Sequence, residues 1–196
     1  MPEFEEKARF VLRNARHLAA DYLRRVLREG DTVIDATMGN GQDTLFLCEL
    51  VGKTGHVYAF DVQQEAVDRT RERLTQATVA QRATLILAGH ETMAEHVTQP
   101  VQAVVFNLGW LPGAQHAVTT LERTTLPAVQ AACELIVPGG LVTVCIYPGH
   151  PEGRRELEAL QEFAASLNVR KLNVLWHRFL NAPPHTPQLL LIQRNE

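Results

Sequence analysis

The 196-residue chain has few cysteines, no surplus of basic charge and no long apolar run. Each shortage excludes a class of protein. Cys48, Cys133 and Cys145 lie far apart in apolar stretches. An odd count without paired spacing builds neither a disulfide framework nor a zinc ribbon, so no metal site is expected. The three read as buried free thiols, which fits a reducing, cytoplasmic setting. No apolar run approaches the roughly 20 residues that span a bilayer, so no membrane partner is expected. The opening MPEFEEKARF is charged throughout and lacks a signal-peptide pattern. The net charge is -3. Proteins that coat nucleic acid are usually basic, so any RNA contact must be a local patch. Repeats and low-complexity segments are absent, and so is the P-loop pattern G-x-x-x-x-G-K-[ST].

What is present is an ordinary globular composition, 45% hydrophobic and 21% charged. That supports one domain over residues 1–196, with a helical segment over 1–30. The apolar spacing predicts a first helix over about 4–29, closed by a left-handed cap at Gly30. Strands are predicted at about 32–36, 56–60, 83–87, 101–106, 141–146, 169–179 and 188–193. Helices fall between them at about 43–50, 63–76, 118–136 and 152–166, the third containing Pro127. Pro138-Gly139-Gly140 reads as a turn before the fifth strand. Alternating strands and helices give a mostly parallel sheet covered on both faces. The last two strands are joined by a segment too short for a crossover, so they should pair antiparallel. The fold class is therefore α/β: a Rossmann-like, seven-stranded, mostly parallel sheet with an antiparallel C-terminal hairpin. That is the outline of a class I methyltransferase.

Open α/β sheets bind ligands at the carboxyl ends of their strands. The first such end is Asp35-Ala36-Thr37-Met38-Gly39-Asn40-Gly41-Gln42-Asp43. Gly39 and Gly41 let the backbone approach a ligand closely, and Asp35 can meet a cationic amine. Asp61 ends the second strand, about 20 residues on, where a carboxylate can accept both ribose hydroxyls of a nucleoside. It could equally cap the next helix. Gln63 stands beside it, and Gly89-His90 follows the third strand, where adenine would lie. A dinucleotide turn would continue as G-x-G-x-x-G, and this one does not.

The fourth strand ends in Asn107-Leu108-Gly109-Trp110-Leu111-Pro112-Gly113, where amino-directed methyltransferases carry an N-P-P-Y-like loop. Asn107 would accept hydrogen bonds from a target amine and Trp110 would stack on a base. Tyr147 and His150 follow the fifth strand, and His116 and His185 stand in other loops. An attacking amine must be neutral, so a histidine such as His150 could take its proton. Arg24, Arg25, Arg28, Arg154, Arg155, Arg170, Lys171 and Arg178 could touch phosphates or simply coat solvated faces.

Together, Asp35-Ala36-Thr37, Gly39-Asn40-Gly41, Asp43-Thr44-Leu45-Phe46-Leu47, Tyr58-Ala59-Phe60-Asp61-Val62-Gln63, Gly89-His90-Glu91, Phe106-Asn107-Leu108-Gly109 and Tyr147-Pro148-Gly149-His150 are specific. Nearly the whole chain resembles a bacterial family long labelled ribosomal RNA methylases. That family is associated with S-adenosylmethionine-dependent methylation of 5-aminomethyl-2-thiouridine at the tRNA wobble position. The resemblance implies that Asn40, Gln42, Asp61, Gln63, Gly89 and His90 line the cofactor pocket. It implies an anticodon stem-loop as partner, and a homodimer is plausible for the fold. The family usually has tyrosine at the place of Trp110, and a glycine, an acid and a lysine where Ala114-Gln115-His116 stands. Two other readings stand beside it: a methyltransferase for rRNA or a small amine, and a cofactor-binding module without catalysis.

Overall fold

The computed structural model describes residues 11–109 and 119–196. Its elements in chain order are α1 (Ala15–Val26), β1 (Thr32–Asp35), α2 (Gln42–Val51), β2 (His56–Asp61), α3 (Gln64–Gln76), β3 (Ala83–Leu87), α4 (Met93–His96), β4 (Val101–Asn107), α5 (Glu122–Leu135), β5 (Ile136–Ile146), α6 (Pro151–Ser166), β6 (Leu172–His177) and β7 (Gln188–Arg194). Asn14 starts α1 by accepting a hydrogen bond from the His17 amide. Ala15, Ala19 and Leu23, four apart, form its buried stripe. The helix ends earlier than its apolar spacing suggests. Leu27 is already extended, and Gly30, at φ +95°, belongs to the turn beyond rather than to the cap.

The strands order as β3-β2-β1-β4-β5-β7-β6, parallel except for β7, which runs antiparallel to both β5 and β6. The seven-stranded sheet and its antiparallel C-terminal pair are as the sequence predicts. Two strands differ in their bounds. β6 is shorter than predicted, and β5 begins at Ile136, taking in the Pro138-Gly139-Gly140 turn as an irregularity. There Val101 pairs with Ile136 but Ala103 pairs with Leu141, so the proline–glycine segment bulges out of the ladder.

Successive residues of the central strands serve opposite cores. Ile34 packs with Phe60 and Phe106 beneath α5 and α6. Val33 packs with Leu47 and Val57 beneath α1 and α2. These side chains are fully buried, each stabilising the fold by about 1.5–3 kcal/mol. The functional consequence lies in the strand order. From β1 the chain steps outward to β2 and β3, then returns to place β4 on the other side of β1. At such a reversal the loops diverge and leave a crevice. No described helix is long and apolar enough to cross a membrane.

Candidate active site

A cleft of about 720 Å³ opens at this reversal. Its wall takes Gly39, Asn40 and Gln42 from the turn after β1, and Asp61 and Gln63 from the end of β2. Gly89 and His90 come from the loop after β3, and Asn107, Tyr147 and His150 from the ends of β4 and β5. His185 reaches the wall as well. Trp110 and His116 lie outside the described residues.

On the β1–β3 side, backbone groups hold the polar side chains. The Asp61 carboxylate accepts the amides of Gly39, at 3.1 Å, and Gln63, at 3.0 Å. Burial pushes its pKa up while these amides pull it down. The capping alternative is corrected: the N-cap of α3 is Gln63, with no side-chain cap, and Asp61 bonds the amide of that residue while facing the cleft. α3 clamps the glycine turn in return. Arg69 donates to the Asn40 side chain at 2.9 Å, Thr70 to the Gly39 carbonyl at 3.1 Å and Arg73 to the Asn40 carbonyl at 2.7 Å. Gly41 stands behind the wall at φ +73°, where a Cβ would lie 2.9 Å from the Thr70 Cα. Its freedom therefore serves the approach of α3, not the approach of a ligand as the sequence suggested. His90 is buried edge-on against Phe106, and burial lowers its pKa, keeping the ring neutral.

On the β4–β5 side, side chains hold one another. The Tyr147 hydroxyl donates to Asn107 Oδ1 at 2.7 Å, and Asn107 Nδ2 donates to Asp43 Oδ2 at 3.1 Å. Arg16 donates through Nε and Nη2 to Asp43 Oδ1, at 2.9 and 2.6 Å, and through Nη1 to Gln42 at 2.7 Å. The Asn107 amide is tied to Thr37 Oγ1 at 2.7 Å. His150 caps α6, its Nδ1 accepting the Gly153 amide at 3.1 Å. A ring that accepts there carries its proton on Nε2 and offers no base at that atom. The role of proton acceptor suggested for His150 is corrected to that of a helix cap in the cleft wall. Gly153 is needed for this packing, since a Cβ would meet the Tyr147 carbonyl at 2.1 Å.

A family model described as "Putative rRNA methylase" matches residues 57–193. The chain belongs to that family. It is 39% identical over 184 residues to the chloroplastic tRNA (mnm(5)s(2)U34)-methyltransferase of Arabidopsis thaliana, covering 89% of this chain and 67% of that protein. A "putative rRNA-methylase" from Clostridium thermocellum has a TM-score of 0.92 at 40% identity, covering 94% of this chain and all 100% of that one. A "putative methyltransferase" from Streptococcus mutans, solved in complex with SAH, has a TM-score of 0.85 at 37% identity, covering 94% and 99%. The protein is thus an S-adenosylmethionine-dependent methyltransferase of the class I fold.

The methyltransferase's cleft fits that cofactor by its own chemistry. Two buried polar atoms of the wall, His90 Nε2 and Thr119 Oγ1, find no hydrogen-bond partner among the described residues. Such atoms are costly unless a ligand or water meets them. Val62, next to Asp61, is a 59% exposed apolar side chain in the same wall. Asp35 requires a correction. It is absent from the wall and fully buried, its carboxylate accepting Thr44 Oγ1 at 2.6 Å and the Thr37 amide at 3.2 Å. Burial, then the charge of Asp43, pushes its pKa up to about 7. It fixes the shape of the turn and meets no cationic amine.

The sequence reading missed Arg16 in the wall, and named Thr37, Asp43 and Val62 only within a loop or motif, without a role of their own. Nothing in the local pattern around Arg16 marks it as a partner for Asp43, which stands on another helix. Three of the basic residues are spread over both faces of the sheet. Arg24 and Arg25 lie over the rings of Phe46 and Tyr22 on the α1 face, while Arg155 pairs with Glu152 on α6, across the sheet.

Proposed function

We propose that this methyltransferase methylates the side-chain amine of 5-aminomethyl-2-thiouridine at the wobble position, docking a tRNA anticodon stem-loop over the cleft. Residues 1–196 are read as one catalytic domain. The observation that carries the proposal is Asn107 Oδ1. It accepts one hydrogen bond from Tyr147 in the cleft wall, which leaves a second lone pair for an amine N–H. The 39% identity to the Arabidopsis enzyme supports the choice of amine.

Asp61 would hold the ribose hydroxyls, Val62 and His90 would flank the adenine, and Gly39, Asn40, Gln42, Gln63 and Gly89 would line the remaining cofactor surface. When bound, S-adenosylmethionine supplies an electrophilic methyl group on a sulfonium centre. Asn107 aligns the neutral amine so that its lone pair faces that side of the cleft, and alignment is the main demand of the reaction. The proton lost on methylation leaves to solvent. Tyr147 does not take it: burial pushes its phenol up to about 12, so it stays a donor. The rate should therefore rise with pH as more of the amine is neutral.

The test is mass spectrometry of nucleosides after incubation with S-adenosylmethionine and tRNA carrying 5-aminomethyl-2-thiouridine. A gain of one methyl on that nucleoside, abolished by Asp61→Ala, is expected. No gain from a protein that still binds SAH would overturn the substrate and redirect the search to rRNA or small amines.

A further inference from the structure

We propose that Asp43 and Arg16 are positioning residues that lock the Asn107 amide with its oxygen, not its nitrogen, available to the acceptor amine. The inference rests on the reading of Asn107 given above. An asparagine amide has two orientations of nearly equal shape and opposite polarity. One offers the amine an acceptor. The other offers it N–H donors, which it cannot use.

Tyr147 does not decide between them, because a hydroxyl donates to the oxygen or accepts from the nitrogen equally well. The Asn107 backbone amide, bonded to Thr37 Oγ1, places the residue but leaves the side chain free to turn over. Asp43 does decide. A carboxylate only accepts, so its 3.1 Å contact must be made by Asn107 Nδ2, which turns Oδ1 towards Tyr147. This requires Asp43 to be held still. Arg16 secures this with two hydrogen bonds to Asp43 Oδ1, while its third nitrogen spans Gln42. Asp43 also stands in the first turn of α2, where the helix dipole favours a negative charge. The ion pair forms a common wall between the main cleft and a smaller cavity of about 220 Å³ behind it, lined by Ala20, Leu23, Phe46 and Cys145. The orienting charge is therefore backed by apolar surface on one side.

Asp43→Asn keeps the shape and reverses the constraint, because Arg16 takes the oxygen of the new amide and leaves its nitrogen facing Asn107, whose Oδ1 must then turn to accept it. The expected result is a kcat lower by about tenfold or more, with the SAH Kd and Tm near those of the unaltered protein. The double variant Asp43→Asn/Asn107→Asp reverses the pair. The new carboxylate at 107 has no wrong orientation, and the new amide at 43 donates to it. It should recover most of the kcat lost in Asp43→Asn. Asn107→Ala is measured alongside. If Asn107→Ala loses activity while Asp43→Asn keeps the original kcat, the positioning role is overturned and the role of Asn107 stands. If Asn107→Ala itself keeps the original kcat, the underlying reading fails. A double variant no faster than Asp43→Asn also overturns the inference, since loss of the carboxylate would then matter for another reason.

Discussion

The two sides of the cleft are held by different means. Around the cofactor, backbone groups enter most of the contacts: Asp61 accepts the amides of Gly39 and Gln63, and Thr70 and Arg73 of α3 donate to the carbonyls of Gly39 and Asn40, beside one side-chain pair, Arg69 with Asn40. Around the acceptor, side chains fix side chains in the order Arg16, Asp43, Asn107, Tyr147. Backbone amides are donors whatever the neighbouring residues are, so the Asp61 contacts are set once the strands and turns form, while the α3 clamp adds Arg69, Thr70 and Arg73. The acceptor side depends on the identity of each link. A single substitution there can reverse a polarity while leaving the fold intact. The difference teaches that the acceptor side is the one whose polarity hangs on single side chains.

The largest effect that would sharpen this contrast concerns Asp35, which underpins the cofactor turn without touching the cleft. Its pKa is raised from 3.8 to about 7, so the folded state holds a proton that the unfolded chain has lost. Stability from this group is therefore present below about pH 4 and falls as pH rises to about 7, by about 4 kcal/mol in total. Asp35→Asn removes the titrating group. Chemical denaturation of the unaltered protein and the variant across that range should show a difference that grows towards neutral pH in the variant's favour. A pH-independent difference would mean that Asp35 is ionised in the fold and that the turn is held otherwise. A smaller effect is expected at Gly41. Gly41→Ala imposes a side chain at φ +73°, with Thr70 atoms 2.8–2.9 Å away. Left-handed strain and overpacking together should cost about 2–4 kcal/mol. SAH affinity should fall along with Tm, because the same turn shapes the cleft. Normal SAH binding in a destabilised variant would uncouple the clamp from the site.

Much of the cofactor side was legible in the sequence because its parts are local. Gly39, Asp61 and His90 each follow a recognisable strand, and a parallel sheet brings strand ends to one edge. The hairpin was legible for a similar reason: the segment between β6 and β7 is too short for a crossover. The acceptor side was legible only in part. Asn107 could be found from its place at the end of β4, but nothing local ties it to Asp43 or either of them to Arg16. Asp35 was misread because a carboxylate beside glycines resembles a ligand. Only its burial, with Thr44 taking one oxygen, marks it as a support. His150 was misread because a histidine in a cleft suggests a base, and only the Gly153 amide on Nδ1 shows which nitrogen is spent.

The smallest expected effect tests whether the acceptor chain has one controlling link or several. Tyr147→Phe removes the hydrogen bond to Asn107 Oδ1 but leaves Asp43 on Nδ2, so the amide keeps its orientation. The loss is one neutral hydrogen bond, about 1 kcal/mol, or roughly fivefold in kcat. The rise of rate with pH should be unchanged through the neutral range, because a phenol pushed up to about 12 does not titrate there. Steady-state kinetics at several pH values would settle both points. A loss as deep as that of Asn107→Ala would mean that Tyr147 holds the oxygen in place and Asp43 does not suffice. Control of the acceptor side would then lie at the β5 end of the chain, and the contrast between a fixed cofactor side and an acceptor side governed by one charge would fail.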